Sequence, residues 1–186
     1  PVSSPKLYGD LDIFEKYLLP SIVQVGHKHD FSSIHFLFTN NEENEVLEKH
    51  HFKKRFSLQY HWNNHDYKTF DDYLADLSKN RRKTIKRERR EIEESNLTIK
   101  EIKGTDIKME ELEFFYQCYL NTIDKKYSYA YLNFEFFANF YRKKPEVFTL
   151  LMTYDENEQP IASALFLKSS TTLFGRYWGA IKDVPF

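Results

Sequence analysis

The chain has 186 residues, of which 41% are hydrophobic and 30% charged, with 27 Lys/Arg set against 28 Asp/Glu for a net charge of −1. That composition supports a sizeable core in one domain, or one domain plus part of another, and its charge balance excludes a global attraction to nucleic acid. The single cysteine, Cys118, excludes an internal disulfide and points to a reducing, cytoplasmic setting, and no apolar run reaches the roughly 18 residues of a membrane span.

Pro1 to Tyr8 reads as a loop or a short extended piece. Asp10 is a candidate N-cap for a helix carrying Leu11, Phe14, Leu18, Ile22 and Val25, interrupted at Pro20 and stopped at Gly26. Ser33 to Phe38 is predicted as a buried strand, and Thr39 to Asn44 as the cap of a short helix holding Val46 and Leu47. Phe52 to Trp62 is predicted as a further strand, with Phe56, Leu58, Tyr60 and Trp62 on one face by period two. Thr69 and Asp72 match a capping box, and the stripe Phe70, Tyr73, Leu74, Leu77, Ile85 and Ile92 predicts one helix of about 25 residues. Leu97 to Ile102 alternates as a strand ended by Gly104. Two helices follow, Met109 to Ile123 and Phe134 to Tyr141, the second broken by Pro145. Val147 to Thr153, Ile161 to Leu167 and Thr172 to Trp178 close the pattern as strands joined by turns at Asp155 to Glu158 and Lys168 to Thr171. The order predicts an α/β chain with helices packed on a mixed sheet.

Charge is concentrated in one window. Lys79 to Arg90 holds eight Lys/Arg and one Glu, so it carries +7 while the rest of the chain carries −8. Two readings stand. Arg82, Lys83, Lys86 and Arg87 suit phosphate, Arg by bidentate hydrogen bonds and Lys as a point charge. The same run is also what a solvated face paired with Glu91, Glu93 and Glu94 looks like. Similar pairs of readings attach to other residues. His61 and Asn64 could orient an amine or a carbonyl, or bond locally to backbone. Asp124 could accept an amine proton, or cap a helix end. Tyr116, Tyr119 and Tyr131 could line a cleft, or pack in the core. Gly175-Arg176-Tyr177-Trp178-Gly179 sets a guanidinium and two polar-tipped aromatics between glycines, which suits a site wall or a bend with packed rings. His27-x-His29, His50-His51 and His61-x-x-x-His65 lack the context of a zinc site, so no metal is expected.

Several of these stretches stand together in order: His61-Trp62-x-Asn64, Phe70-Asp71-Asp72-Tyr73-Leu74, Arg82-Lys83-x-Ile85-Lys86-Arg87-Glu88-Arg89-Arg90, Phe115-Tyr116-x-x-Tyr119-Leu120 and Gly175-Arg176-Tyr177-Trp178-Gly179, with Asp124-Lys125-Lys126 and Tyr131-Leu132 between. The set resembles the FemAB-like predicted N-acyltransferases, a bacterial family. The resemblance implies a GNAT-like fold that occurs twice in a full member. Residues 1–54 then correspond to the end of the first half, and residues 55–186 to most of the second, cut before its donor-binding helix. It also implies transfer of an acyl or aminoacyl group to an amine acceptor, a small molecule or peptide-like compound. The donor would be acyl-CoA or aminoacyl-tRNA, with no tightly bound cofactor and with tRNA as a candidate partner.

On this reading His61, Asn64, Asp124, Arg176 and Tyr177 form the acceptor side and carry catalysis. Tyr116, Tyr119, Tyr131 and Trp178 contact substrate, and Arg82, Lys83, Lys86 and Arg87 hold donor phosphates. The basic helix and the Arg-Tyr-Trp segment are expected to share one hollow, and the 186 residues alone are expected to be inactive. The rival is a nucleic-acid-binding module that uses the basic helix 79–90 on phosphates, and its affinity would fall steeply with salt.

Overall fold

The computed structural model describes residues 9–56 and 58–182, which divide into two units, Pro1–His65 and Asp66–Phe186. The piece expected at Pro1 to Tyr8 lies outside the described residues, as does Ser57.

The first unit opens as expected at Asp10, whose carboxylate accepts from the backbone N–H groups of Asp12 and Ile13. Helix α1 (Leu11–Ile13) runs through a π-helical turn (Phe14–Leu18) into α2 (Leu19–Lys28). Pro20 therefore does not interrupt the helix. A proline has no N–H for the residue four back, and the wider turn just before it absorbs that missing bond. Gly26 does not stop the helix either. It is buried inside α2, where an added Cβ would lie 2.9 Å from Ile34 Cδ1, so it admits the following loop at close range. The helix α3 (Asn41–Lys49) starts with a capping box in which Asn40 and Glu43 exchange bonds.

Neither predicted strand of this unit forms. Ser33 to Phe38 is irregular and ends with Phe38 at φ 58°. Its apolar residues pack against helices instead: Phe36 meets Phe14 at 6.0 Å and Phe52 at 5.4 Å, over a small core of Phe14, Leu19, Val46 and Leu47. Phe52 to Trp62 also carries no strand among the described residues. Phe56, Leu58 and Tyr60 are 88%, 85% and 95% exposed. Period two is present in the side chains, but a strand also needs a neighbour for its backbone groups, and the described residues of this segment join no ladder.

In the second unit Thr69 caps α4 (Phe70–Asp76) as predicted. Its hydroxyl accepts from the Asp72 N–H at 3.1 Å, and the Asp72 carboxylate accepts from the N–H groups of Thr69 (2.8 Å) and Lys68 (2.9 Å). Those backbone bonds, Thr69's foremost, hold the Asp72 carboxyl below its ordinary pKa. Replacing Thr69 with alanine is expected to cost about 1 kcal/mol in urea unfolding.

The single long helix is not observed. Leu77 turns extended at ψ 152°, and α5 (Lys79–Glu93) begins anew. From Ser78 to Thr84 the chain has no apolar residue, so two turns of a continuous helix would bury nothing. Arg82 secures the break by donating from Nη2 to the Leu77 carbonyl at 3.0 Å.

The rest follows the predicted order. Strand β1 (Thr98–Lys103) ends at Gly104, whose φ of 55° suits glycine. Helices α6 (Met109–Lys125) and α7 (Phe134–Lys143) precede β2 (Phe148–Tyr154), β3 (Pro160–Lys168) and β4 (Leu173–Ala180). The four described strands lie in the order β1-β2-β3-β4, every pair antiparallel, so the sheet is antiparallel and not the mixed one expected: hairpins join β2 to β3 and β3 to β4, and the two helices between β1 and β2 return the chain in the opposite direction. Leu112, Phe115 and Tyr119 of α6 and Phe137 and Ala138 of α7 pack on Phe148, Leu150, Met152 and Leu165 of the sheet. This is a mixed α/β fold with helices on a sheet, consistent with a GNAT-like fold.

Candidate functional site

Strand β4 reaches the site through two local irregularities. Opposite β3, Leu165 pairs with Tyr177 but Phe166 pairs with Gly175, so Arg176 is an extra residue with no ladder partner. Such a bulge bends a strand and re-aims its side chains. Three residues on, Gly179 is buried against α6. A Cβ there would fall 2.1 Å from the Cys118 carbonyl oxygen and 2.4 Å from Thr122 Oγ1. The missing side chain lets the strand lie directly on the helix. Two α6 side chains then bind the strand's backbone: Thr122 Oγ1 donates to the Trp178 carbonyl at 3.0 Å, and Asn121 Nδ2 donates to the Ala180 carbonyl. Cys118, at the same seam, is buried, and loss of water pushes its thiol up to about 11, so it is an inert part of the packing.

This seam carries a cluster of aromatic hydroxyls beside one guanidinium. The Tyr177 ring meets the Tyr119 ring edge-on at 4.9 Å and the Phe137 ring at 6.1 Å. Tyr131, from the connection between α6 and α7, brings its hydroxyl 2.5 Å from that of Tyr177. Arg176 lies 5.2 Å over the Tyr177 ring, with Nη2 3.4 Å from the same hydroxyl. Tyr119 is 1% exposed, and among the described residues its hydroxyl makes no well-formed hydrogen bond, with the backbone of Leu132 and Tyr131 close by. Tyr116 stands behind it, ring to ring at 5.8 Å, with its hydroxyl 3.4 Å from the Leu132 carbonyl.

Burial is the main cause raising the phenol pKa values, pushing Tyr177 up to about 12 with help from Tyr131 and raising Tyr119 as well. Tyr177 and Tyr119 therefore keep their O–H protons near pH 7. The unfolded Tyr177 titrates near 10 and the folded one near 12. Its contribution to stability is thus complete below pH 10 and is lost as pH rises through 12. Urea unfolding between pH 9 and 12 is expected to show that decline, and Tyr177→Phe to flatten it.

Among the sequence-predicted residues, the structure brings together Arg176, Tyr177, Tyr116, Tyr119 and Tyr131. Trp178 is on the same strand, but its ring is 72% exposed. Asp124 is exposed near the end of α6, where its carbonyl accepts from the Tyr127 N–H at 2.9 Å. His61 and Asn64 belong to the first unit, and His61 Nε2 lies 3.1 Å from Gln59 Oε1.

The basic residues of α5 have other described contacts. No hydrogen bond, ion pair or ring contact joins Arg82, Lys83, Lys86 or Arg87 to the tyrosine cluster among the described residues. Helix α5 buries none of its residues. Arg87 pairs with Glu91 at 3.6 Å, Arg89 lies 4.6 Å over the Phe70 ring, and Lys83 and Lys86 are exposed. The described contacts of this run are those of a largely solvated face. Asn121 and Thr122 escaped the sequence reading. Their signal was the small residue at 179, which only matters once the helix opposite it is known.

A groove of about 420 Å³ in the first unit, lined by Leu19, Pro20, Val23, Gln24, His27, His50 and Phe52, contains none of the predicted site residues. No described helix is long and apolar enough to cross a membrane.

Comparison with known families agrees with the motifs that lead to this cluster. The FemAB-like family, described as peptidoglycan biosynthesis/recognition, matches residues 2–186. No curated protein matches the chain. With the match spanning nearly every residue and the helix-on-sheet architecture in agreement, the chain belongs to the FemAB-like family.

Proposed function

We propose that the protein transfers an acyl or aminoacyl group from a phosphate-bearing activated donor to an amine of a peptidoglycan-type acceptor, with the β4 bulge as the acceptor-side wall. The observation that carries this reading is the bulged Arg176, set between Gly175 and Tyr177, beside the phenol hydroxyls of Tyr177 and Tyr131. The family's description supports the acceptor class.

Amide formation of this kind needs positioning more than covalent catalysis. The amine nitrogen attacks the donor carbonyl and forms the C–N bond. The C–S bond of a thioester, or the C–O bond of an aminoacyl ester, breaks, and the proton lost by the nitrogen ends on the departing sulfur or oxygen, which leaves as a free thiol or hydroxyl. A site that holds both partners in contact supplies several kcal/mol of the barrier by orientation, and donors placed at the developing oxyanion supply more. Tyr131 and Tyr177 offer such O–H groups. The donor's phosphates suit the exposed cations of α5, Lys83 and Lys86 first, with acyl-CoA and aminoacyl-tRNA as the two donor classes.

The test is mass-spectrometric detection of N-acylated product. The full-length natural polypeptide is incubated with each donor class and a lysine-containing peptidoglycan stem peptide. Product with either donor is expected, and it should fall at least tenfold in Arg176→Gln. No product with both donor classes discards the transferase. Filter binding of tRNA and duplex DNA across a salt series tests the exposed α5. Tight, salt-sensitive binding of both nucleic acids alike would favour the nucleic-acid-binding module instead.

A further inference from the structure

The stretch from Lys49 to His65 contains no carboxylate, although the whole chain has a net charge of −1. Within it Lys53, Lys54 and Arg55 follow one another, all exposed. Among the described residues no ion pair neutralises these three cations, and Lys54 instead lies 5.5 Å over the Phe56 ring. Directly after them Phe56, Leu58 and Tyr60 stand almost fully in water, and Trp62 is 62% exposed. Single apolar residues scattered over a surface are ordinary. Four large ones on alternate positions, beside an uncompensated run of cations, mark a surface made to meet something.

From this pairing of bare cations with bare aromatics we infer that residues 53–62 are a membrane-surface anchor whose partner is an anionic lipid bilayer. Charge selects an anionic surface, because its potential attracts each Lys and Arg and the attraction adds along a basic run. The side chains select a lipid one. Tyr and Trp concentrate where hydrocarbon meets water, since the ring is apolar while its O–H or N–H stays wet. Phe56 and Leu58 carry no polar tip and reach further in. Depth follows from the backbone. The described residues of the segment join no ladder, so their N–H and C=O groups would be costly in hydrocarbon. The backbone therefore stays in the hydrated headgroup layer, and the segment lies on the membrane without crossing it. A second copy of the chain is a poorer partner, because it brings the same three cations. A folded protein needs a surface of fixed shape, and neither helix nor ladder fixes this one, whereas fluid lipid adapts to it. The anchor stands apart from the transferase reading and uses none of the tyrosine cluster.

The test floats the full chain with vesicles of phosphatidylcholine alone and of an equal mixture of phosphatidylcholine and phosphatidylglycerol. Binding to the mixed vesicles is expected to be at least tenfold tighter. Lys53→Gln, Lys54→Gln and Arg55→Gln together should weaken it about a hundredfold. Phe56→Ser, Leu58→Ser and Tyr60→Ser together keep the charge and should weaken it at least tenfold, which a purely ionic contact would not show. Trp178→Phe leaves Trp62 as the sole tryptophan, and its emission should shift to the blue on the mixed vesicles and be quenched by brominated acyl chains. All these side chains are exposed, so each variant should keep the urea midpoint of the unsubstituted chain. No binding to the mixed vesicles, equal binding to both kinds, or an unmoved Trp62 emission would each overturn the anchor. Binding that survives either triple substitution would do so too, and would point to the basic α5 instead. A lipid-free mass that doubles with concentration, and falls back in the Phe56, Leu58 and Tyr60 variant, would give the segment to a second copy. Tighter binding of single-stranded RNA than of vesicles, lost with the same side chains, would give it to nucleic acid.

Discussion

Gly179→Ala is expected to lower the unfolding free energy by about 3 kcal/mol, read as a lower urea midpoint at unchanged slope. The clash is with backbone. An alanine Cβ would sit 2.1 Å from the Cys118 carbonyl oxygen and 2.8 Å from its carbonyl carbon, and helix backbone cannot rotate away as a side chain can. Relief requires α6 to lift off β4. That would stretch the Thr122 bond to Trp178 and the Asn121 bond to Ala180, and loosen the Tyr119–Tyr177 contact. The mutation should therefore also disturb the tyrosine cluster, although residue 179 belongs to none of its contacts. Gly175→Ala is the control. Its Cβ would meet Phe166 at 3.6 Å, an ordinary contact, and the change should be nearly silent. Equal effects at the two glycines would show that the seam is not the tight joint described.

Phe148→Ala is expected to cost about 4 kcal/mol, the largest effect of any single truncation proposed. Phe148 is fully buried at the start of β2 and meets Phe140 edge-on at 5.0 Å and Tyr141 at 5.5 Å. Tyr141 cannot move in to fill the space, because its hydroxyl donates to the carbonyls of Gly104 (3.1 Å) and Ile107 (2.6 Å). A residue pinned in this way leaves a cavity, and the cost of a truncation grows with the cavity that remains. Tyr127→Ala, at a side chain 99% exposed, should change stability by less than about 0.5 kcal/mol.

The second unit was legible from its sequence and the first much less so, for a physical reason. In the second unit, period and punctuation agree. Thr69 and Asp72 cap, Gly104 and Pro145 stop, and the alternation of Phe148, Leu150 and Met152 meets a partner strand on either side. In the first unit the same alternation occurs at Phe56, Leu58 and Tyr60, but among the described residues no strand lies alongside to turn pattern into sheet. The break at Leu77 was hidden because a correct phase on both sides, Leu74 before and Ile85 after, disguised a stretch with nothing to bury. Of the site, Arg176 and Tyr177 were legible from composition between glycines. The bulge at Arg176 was not, since it is a property of register with β3. The basic run showed the opposite failure: conspicuous in sequence, it has no described contact with the tyrosines.

The exposed ribbon around Phe56, Leu58 and Tyr60 bears on how the protein is handled. Apolar residues on alternate positions of an unladdered chain are a template for adhesion between molecules, and concentration favours it. Lys53, Lys54 and Arg55 stand immediately before the ribbon, three cations in a row that repel an identical neighbour. Their charge is screened within a few ångströms at molar salt, so solubility should decline as ionic strength is raised, and buffers of low salt are the natural choice for keeping the protein dispersed.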